Sequence, residues 1–379
     1  MKDYLLRHHS AQRIIETSDV SDILQAVISG NRPKLNDCIH LIKSDNIYAL
    51  GLVGGFLRDK IFGKVATFVN NIILNYTNVC ITYCKFCAFY RAPGHNEAYT
   101  LPISEIVKRV LTSKQLFGIS QVLIQGGHNP NLNIEYYENA FREIRKRCPD
   151  VGIHGLSASE IDMIAKVERC STVEVLSRLK DAGLDTLPGA GAEVLDDAIK
   201  HQISPLKIKS DEWLRIMEEA HKLGIKSSAT MMYGTLEDEE QQARHLMKIA
   251  NLQEKTGGFM AFIPWSFEPN MTQMQSEGLI RYPSGGLRLL KMIAISRIVY
   301  HNLINHLQSS WLTNGIGMAQ LALTYGADDF GGTLIGEEVV TATGARSTEL
   351  TSNTIVSAIK QIGYSAHERD NFYRLIKKH

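Results

Sequence analysis

The stretch Asn75-Tyr-Thr-Asn-Val-Cys-Ile-Thr-Tyr-Cys-Lys-Phe-Cys-Ala-Phe-Tyr-Arg91 decides how the rest of this sequence is interpreted. It places Cys80, Cys84 and Cys87 in a C-x3-C-x2-C spacing, directly after an apolar run that is typical of a β-strand. Three thiols at this spacing can converge on one face of a loop, and cysteine thiolates are the usual ligands of iron–sulfur clusters. A cube of four irons held by three cysteines leaves one iron open to another molecule. The spacing therefore predicts a cluster-binding loop.

Other interpretations of the three cysteines have less support. A disulfide framework expects an even number of cysteines in a short secreted chain, and this chain is neither short nor visibly secreted. A structural zinc site normally has four ligands, and the fourth would here be His95 or a distant cysteine. A structural metal-binding protein thus remains an alternative, but the aromatic surroundings of the motif favour a cluster.

The composition narrows the class of protein. The 379 residues are 44% hydrophobic, which is enough for one barrel-sized domain or two smaller ones. With 41 basic and 40 acidic residues, the chain shows no charge excess for nucleic acid or an anionic membrane. No apolar run reaches transmembrane length, and the N-terminus lacks the apolar core of a signal peptide. The scattered Cys38, Cys148 and Cys170 fit a reducing, cytoplasmic location.

From residue 67 onward, short apolar runs alternate with longer helical stretches in seven or eight strand–helix units. This alternation predicts an α/β fold, a (β/α)8 TIM-type barrel whose active site lies at the carboxyl ends of its strands. An open, doubly wound sheet has the same local pattern. We expect a helical lead-in at residues 1–66 packed on a barrel at residues 67–345, and a C-terminal helical extension at residues 346–379.

Apolar runs predict barrel strands at Gln121–Gln125, Lys226–Tyr233 and Gly258–Pro264. Four further elements are predicted as follows. The apolar run Thr67–Tyr76 predicts the first barrel strand, and Leu307–Trp311 predicts a late one. The segment Glu193–Ile199 predicts a short helix, and Ala366–Lys377 predicts the last helix of the chain.

The three-cysteine spacing resembles the signature of the radical S-adenosylmethionine (SAM) superfamily. The resemblance implies that Cys80, Cys84 and Cys87 bind a [4Fe–4S] cluster, whose open iron is chelated by the amino and carboxylate groups of SAM. Phe86 matches the aromatic residue that lies near the adenine in this superfamily. The spacing is the specific part of the match, because an aromatic residue alone means little.

A glycine pair after the second predicted strand resembles another SAM-binding segment. Gln125-Gly126-Gly127 matches the motif that contacts the methionine amino group, although His128 stands where that motif often has glutamate. Backbone carbonyls would then make the contact, and adjacent glycines let a backbone approach a ligand closely. A tight turn between a strand and a helix is the alternative.

Three further residues are candidate SAM contacts, each with a structural alternative. Glu193 follows Gly189-Ala-Gly-Ala, and its alternative is an acidic residue in the first turn of a helix. Met231 lies in a segment that resembles the strand flanking the adenine, and its alternative is a core position. Ser157 is a polar contact to SAM or a helix N-cap.

Two tryptophans and several polar residues are candidates for substrate binding. Trp265 and Trp311 lie late in the barrel, where they would wall an aromatic substrate or pack in the core. Asp328 and Asp329 precede two glycines and would cradle a sugar or lie in a solvated turn. No general base is assigned. The other polar candidates near the cluster are Arg91 and His95 for the substrate, His128 and Tyr90 as bases, and His154.

Further matches lie at Asn75–Arg91, Gly94–Tyr99, Val122–Gly127, Gly258–Phe267, Ser310–Thr313 and Gly326–Thr333. Together these segments resemble one subgroup of the superfamily, the cyclic dehypoxanthine futalosine synthases of the futalosine route to menaquinone. The resemblance runs from about residue 46 to about residue 345. Gly94-His95, Ile263-Pro-Trp265 and Ser310-Trp311-Leu favour this cyclase over its sister enzymes. Those sisters, aminofutalosine synthase and the deazaflavin-type radical SAM synthases, share the barrel and the cysteine motif and remain the alternatives.

The resemblance implies a reaction and its partners. Reductive cleavage of SAM would give a 5′-deoxyadenosyl radical that abstracts the C4′ hydrogen of the ribose of dehypoxanthine futalosine. The sugar radical would attack the benzoate ring, and loss of an electron and a proton would restore aromaticity. A reduced flavodoxin or ferredoxin would supply the electron, with no nucleic acid and no membrane involved.

Overall fold

The computed structural model describes residues 9–345 and 349–379, and its centre is a curled parallel β-sheet. After a first strand, β1 (Val65–Val69), seven strands follow in chain order around this sheet: β2 (Asn71–Asn75), β3 (Gln121–Gln125), β4 (Gly152–Gly155), β5 (Thr186–Leu187), β6 (Lys226–Tyr233), β7 (Phe259–Ser266) and β8 (His306–Leu307). A second sheet has the order β11-β10-β1-β9, with β9 (Asp329–Gly332), β10 (Ser365–Arg369) and β11 (Leu375–Lys378).

Backbone hydrogen bonds join the two sheets on both sides of β9. Leu307 accepts from the Asp328 amide at 3.1 Å beside β8. On the other side, Ile335 donates to Asn71 at 3.2 Å and accepts from Ile73 at 2.8 Å. The wall therefore continues from β8 through β9 back to β2, and the predicted barrel is confirmed over an open sheet.

The helices surround this wall. Four precede it, α1 (His9–Glu16), α2 (Ser21–Ile28), α3 (Leu35–Lys43) and α4 (Ile47–Phe62). The barrel units contribute α5 (Ile103–Phe117), α6 (Ile134–Arg147), α7 (Ala158–Glu168), α8 (Thr172–Ala182), α9 (Asp197–Ile203), α10 (Ser210–Lys222), α11 (Glu239–Thr256), α12 (Gln273–Ser276), α13 (Gly286–Tyr300), α14 (Trp311–Asn314) and α15 (Ile316–Tyr325). A 3₁₀ turn at Thr341–Thr343 and α16 (Ser352–Gln361) follow.

The helices that precede β1 pack on the last barrel helices within the described part of the chain, whereas Val65 and Ala66 of the predicted lead-in already belong to β1. Helix α4 lies against α13 and α15, and the Asn46 side chain caps it by accepting from the Ala49 amide at 3.1 Å. The first eight residues of the lead-in lie outside the described residues, as do 346–348 at the start of the proposed C-terminal extension. Within the described part of the chain, no helix is long and apolar enough to cross a bilayer.

The C-terminal segment differs from the sequence prediction. A helix over Ala366–Lys377 is wrong, because these residues form the hairpin of β10 and β11. Strand β10 pairs in parallel with β1, with Val65 opposite Ser365. This partner lies some 300 positions earlier in the chain, so local helical periodicity cannot reveal the pairing that decides the conformation.

Three other predicted elements have different bounds. The run Thr67–Tyr76 is two strands in different sheets, because it is interrupted at Asn70, whose side-chain amide donates to the Phe117 carbonyl at 2.6 Å. The predicted helix at Glu193–Ile199 begins only after Asp196, whose carboxylate caps Ala198 and Ile199. Strand β8 ends at Leu307, and Trp311 begins a short helix because Ser310 adopts a left-handed φ of 54°.

Candidate active site at the barrel mouth

The cysteine loop leaves the carboxyl end of β2 and is closed by its own backbone. The Cys80 amide donates to the Arg91 carbonyl at 2.9 Å, so both ends of the loop are held together. Between the thiols lies the Thr82 hydroxyl, 3.0 Å from Cys80 Sγ and 3.4 Å from Cys84 Sγ. Cys80 and Cys84 are buried, whereas Cys87 is half-buried. The three predicted ligands are thus brought to one loop at the barrel mouth.

Three cysteine thiols on one loop have the chemistry of ligands to an iron–sulfur cluster. No group of three or more His, Cys, Asp or Glu among the described residues is arranged around one metal position. A four-iron cube is larger and requires only that each thiol reaches its own corner. Burial raises the pKa of the Cys84 thiol to about 12 and also raises the pKa of Cys87. Thiolate ligands would release these protons on binding iron.

The glycine pair after β3 lies directly against this loop. A Cβ on Gly127 would stand 2.2 Å from the Val79 carbonyl oxygen, and the Gly127 amide donates to the Thr77 carbonyl at 2.9 Å. A Cβ on Gly126 would meet the Tyr76 ring at 2.7 Å. Both glycines are therefore required by the close approach of two protein segments, whether or not a ligand also lies beside them.

A buried carboxylate that the sequence interpretation missed holds this arrangement together. Glu160 accepts hydrogen bonds from the Gly126 amide at 3.0 Å and the Tyr76 hydroxyl at 2.9 Å. It also accepts from Ser157, which is the N-cap of α7 in a capping box. Burial raises the pKa of Glu160, and its hydrogen bonds offset part of that effect. The Ser157-x-x-Glu160 pattern is that of a capping box and could have revealed this pair. The Ser157 hydroxyl is hydrogen-bonded to Glu160 in this capping box.

Glu193 lies at the mouth in a loop before α9, where two lysines bind its carboxylate. Lys200 Nζ and Lys207 Nζ each lie 2.8 Å from one of its oxygens. Burial alone would raise the pKa of Glu193, but the two ammonium groups hold it at about 2. Lys207 Nζ also lies 5.5 Å from the centroid of the Phe86 ring. Glu193 therefore does not lie in the first turn of a helix, and its carboxylate is already bound by protein groups. No motif in the sequence indicated that Lys200 and Lys207 would be its partners.

The two candidate bases have pKa values that do not suit proton abstraction near neutral pH. Burial and the positive charge of the nearby Lys207 together lower the pKa of His128 to about 3. The imidazole is therefore neutral but a weak proton acceptor. Burial and the neighbouring cysteines raise the pKa of Tyr90, so its phenol stays protonated.

Arg91 and His95 hold the cysteine loop in shape. The Arg91 guanidinium donates to the carbonyls of Ala88 and Tyr90 at 3.1 Å and 2.9 Å and pairs with Glu97 at 2.6 Å. His95 is exposed, and its Nδ1 accepts from the Glu97 amide at 3.1 Å. The Arg91 guanidinium and His95 Nδ1 are thus engaged in the loop itself.

The two tryptophans do come together at the barrel mouth. Trp265 and Trp311 line a cavity of about 140 Å³ with Ile263, Gln308 and Phe330. Trp311 is buried, and its indole nitrogen donates to the Gly332 carbonyl at 2.9 Å.

Met231 points away from this cavity. It lies opposite Pro264 in the β6–β7 pairing, whereas its neighbour Met232 lies opposite the cavity residue Trp265. Because successive side chains of a strand point to opposite faces, Met231 faces the surrounding helices. Its structural alternative, a core position, fits the observed burial.

Asp328 and Asp329 do not form a sugar cradle at the mouth. The Asp328 carboxylate lies at the amino end of β9, 2.7 Å from both Arg297 and His306. Asp329 accepts from the Thr67 hydroxyl at 2.7 Å and pairs with Arg369 of the C-terminal hairpin. Both are buried in ion pairs at the base of the barrel, so the expectation of a sugar contact or a solvated turn is wrong.

The contacts of His154 are with residues of the barrel interior and base, not with the cysteine loop. Its Nδ1 lies 2.7 Å from the Thr186 hydroxyl, inside the barrel. Burial and the charge of Arg369, a residue of the base, lower the pKa of His154 to about 3. The expectation that His154 lies near the cluster is therefore wrong.

Comparisons with known proteins agree with this geometry. The radical SAM superfamily matches residues 74–249, and a domain described as the CofH/MqnC C-terminal region matches residues 256–378. The crystal structure of methylornithine synthase superposes with a TM-score of 0.70 at 19% identity, covering 90% of this chain and 96% of that one. At this identity the superposition shows the fold alone, a TIM-type barrel.

Named relatives align over most of the chain. Cyclic dehypoxanthine futalosine synthases from Streptomyces coelicolor and Halalkalibacterium halodurans are 37% and 38% identical, over 96% and 94% of this chain and 90% and 95% of theirs. A 5-amino-6-(D-ribitylamino)uracil–L-tyrosine 4-hydroxyphenyl transferase from Methanococcus aeolicus is 37% identical over 90% of this chain and 95% of its own. The cofactors of the superfamily are a [4Fe–4S] cluster and SAM. This chain belongs to the radical SAM superfamily, in the branch that carries the CofH/MqnC C-terminal region.

Proposed function

We propose that this enzyme cyclises dehypoxanthine futalosine to cyclic dehypoxanthine futalosine, a step of menaquinone biosynthesis. One observation carries the proposal. Ile263, Trp265, Ser310 and Trp311, which belong to the segments that resemble the cyclase, line a single cavity. This cavity and the cysteine loop lie at the same end of a parallel barrel, the carboxyl ends of its strands. Relatives named for this reaction also align over nearly the whole chain.

In this proposal the chain's own residues bind and orient the reactants. Cys80, Cys84 and Cys87 hold the cluster, with SAM beside the loop and Phe86 near its adenine. The bound cofactors supply the 5′-deoxyadenosyl radical that takes the C4′ hydrogen of the substrate ribose. Trp265 and Trp311 hold the aromatic ring of the substrate against its sugar, so that the new carbon–carbon bond forms intramolecularly. The apolar cavity excludes water from the radical intermediates.

The ring must finally lose one electron and one proton to recover aromaticity, and this electron equals the one that cleavage of SAM consumes, so the overall reaction needs no further oxidant. The low pKa of His128 and the high pKa of Tyr90 make both unsuitable as the acceptor of that proton near neutral pH. We propose a reduced flavodoxin or ferredoxin as the electron donor for SAM cleavage. Such donors are kept reduced in the cytoplasm, which is the location that we propose for the enzyme.

A second candidate function has equal sequence similarity behind it. The archaeal relatives are named as transferases that act on L-tyrosine and 5-amino-6-(D-ribitylamino)uracil. An aromatic-lined cavity also suits a tyrosine side chain. The two functions differ in stoichiometry, because the cyclase needs one organic substrate and the transferase needs two.

The deciding experiment supplies both sets of substrates to one preparation. The protein is reconstituted anaerobically with iron and sulfide, given SAM and dithionite, and incubated with either dehypoxanthine futalosine or the transferase pair. Cyclase activity gives 5′-deoxyadenosine and a product lighter by two hydrogens in the mass spectrum. Cys84→Ala should abolish both, whereas Cys170→Ala, a cysteine outside the loop, should keep both. If product forms with L-tyrosine and 5-amino-6-(D-ribitylamino)uracil but not with dehypoxanthine futalosine, the second candidate function replaces the proposal.

A further inference from the structure

The turn of the C-terminal hairpin closes the base of the barrel with side chains. Asn371 accepts from the Gln121 side chain at 2.6 Å and donates to the Thr186 hydroxyl at 2.9 Å. A Cβ on Gly152 would lie 2.5 Å from Asn371 Cβ, so the hairpin fits closely against β4. Tyr373 is inserted beside these residues and reaches further, toward the mouth cavity.

Tyr373 is held on both faces of its ring. The His306 ring stacks on it with centroids 4.0 Å apart, and the Arg369 guanidinium carbon lies 3.7 Å from its centroid. Its backbone has a left-handed φ of 64°, a conformation that non-glycine residues seldom adopt. The surrounding contacts therefore fix the position of the phenol hydroxyl.

That hydroxyl binds Gln308, which belongs to the mouth cavity. Gln308 Nε2 donates to Tyr373 Oη at 3.1 Å, while Gln308 lines the cavity with Trp265 and Trp311. The other end of the amide, Oε1, lies 3.7 Å from the position that a Cβ on Gly331 would occupy. Among the residues that the structure describes, no protein group donates a hydrogen bond to Gln308 Oε1. The hairpin thus orients a hydrogen-bond acceptor beside the cavity.

We propose that Gln308 Oε1 binds a sugar hydroxyl of the substrate and that Tyr373 is the positioning residue that orients this amide. An amide oxygen accepts hydrogen bonds, so it suits a hydroxyl and disfavours a carboxylate. The substrate would therefore lie with its ribose hydroxyls toward Gln308 and with the carboxylate of its benzoate turned away from Gln308. This inference rests on the proposed cyclase function, because it takes the substrate to be a nucleoside that bears an aromatic acid.

The test compares variants of the reconstituted holoenzyme under steady-state conditions. Tyr373→Phe removes the hydroxyl and keeps the ring between His306 and Arg369, so it should raise KM about fivefold, the worth of one hydrogen bond, with a smaller change in kcat. Gln308→Ala should raise KM at least as much, and adding Tyr373→Phe to it should change nothing further. Substrate analogues that lack the 2′- or 3′-hydroxyl should be discriminated against by the wild type and not by Gln308→Ala.

Tyr300→Phe is the matched control, because this buried hydroxyl donates to the Leu246 carbonyl at 3.2 Å, outside the barrel. It removes the same group from the core and should leave KM and the discrimination between analogues unchanged. If the wild type converts dehypoxanthine futalosine and both Tyr373→Phe and Gln308→Ala keep the wild-type KM, the inference is overturned but the cyclase proposal stands. Equal shifts in all three variants would also overturn it. No conversion of dehypoxanthine futalosine by well-folded wild type would instead overturn the proposed function.

Discussion

The Lys207 ammonium lies 2.8 Å from the Glu193 carboxylate in an ion pair that solvent barely reaches. The second carboxylate oxygen binds Lys200 at the same distance, and only 4% of either side chain of this second pair is exposed. The triad therefore carries one positive charge in excess. It stands next to Phe86, within the electrostatic reach of Cys80 and Cys84.

The first prediction concerns the stability that this triad provides. Glu193→Gln would leave two buried ammonium groups without their carboxylate, which should lower the free energy of unfolding by about 3 kcal/mol. Urea denaturation followed by circular dichroism measures the change. Glu240→Gln, which breaks the exposed pair with Arg244, is the control and should cost less than about 1 kcal/mol. A similar loss in both variants would mean that the triad adds nothing specific.

The second prediction concerns the pH dependence of the same carboxylate. The pKa of Glu193 falls from about 4.5 to about 2 on folding, so the unfolded chain binds the proton first. The stability contributed by Glu193 is then fully present above pH 4.5 and is lost as the pH falls toward 2. The difference in unfolding free energy between wild type and Glu193→Gln should shrink across this window. A difference that stays constant from pH 5 to pH 2.5 would contradict the lowered pKa.

The third prediction tests the close contact beneath the cysteine loop. Gly127→Ala would place a methyl group 2.2 Å from the Val79 carbonyl oxygen, which forces the loop to shift. We expect the reconstituted variant to hold less than half of the wild-type iron and to melt at lower temperature. Gly317→Ala is the control, since its Cβ meets nothing within 4 Å in α15 and alanine favours a helix. Full iron content in Gly127→Ala would show that the loop tolerates displacement.

The fourth prediction concerns the anchor of the C-terminal hairpin. Arg369 pairs with Asp329 inside the base of the barrel, and both side chains are at most 2% exposed. Arg369→Met would leave Asp329 charged and unpaired, which should cost about 3–5 kcal/mol of unfolding free energy. Adding Asp329→Asn should recover part of this loss, because it removes the buried charge. Strictly additive losses in the double variant would argue against a direct pair.

A strand or helix could be predicted from the sequence when its pattern is local, and not when its conformation depends on a strand that lies far away in the chain. The spacing of Cys80, Cys84 and Cys87 and the apolar periods of β3, β6 and β7 are local, and their predicted positions agree with the structure to within a few residues. The hairpin of β10 and β11 was predicted as a helix because its partner, β1, is distant. Local charge patterns likewise could not show that Asp328 and Asp329 meet arginines at the base.

The sequence by itself determined the α/β class and the superfamily, because strand–helix alternation and the cysteine spacing are features of consecutive residues. Only the tertiary structure decided that the wall closes into a barrel and which polar groups are engaged elsewhere. It assigned Glu193 to two lysines, Glu160 to the glycine pair, and Gln308 to a tyrosine from the far end of the chain. Buried polar groups must find partners wherever the fold brings them, and these partners are seldom neighbours in sequence.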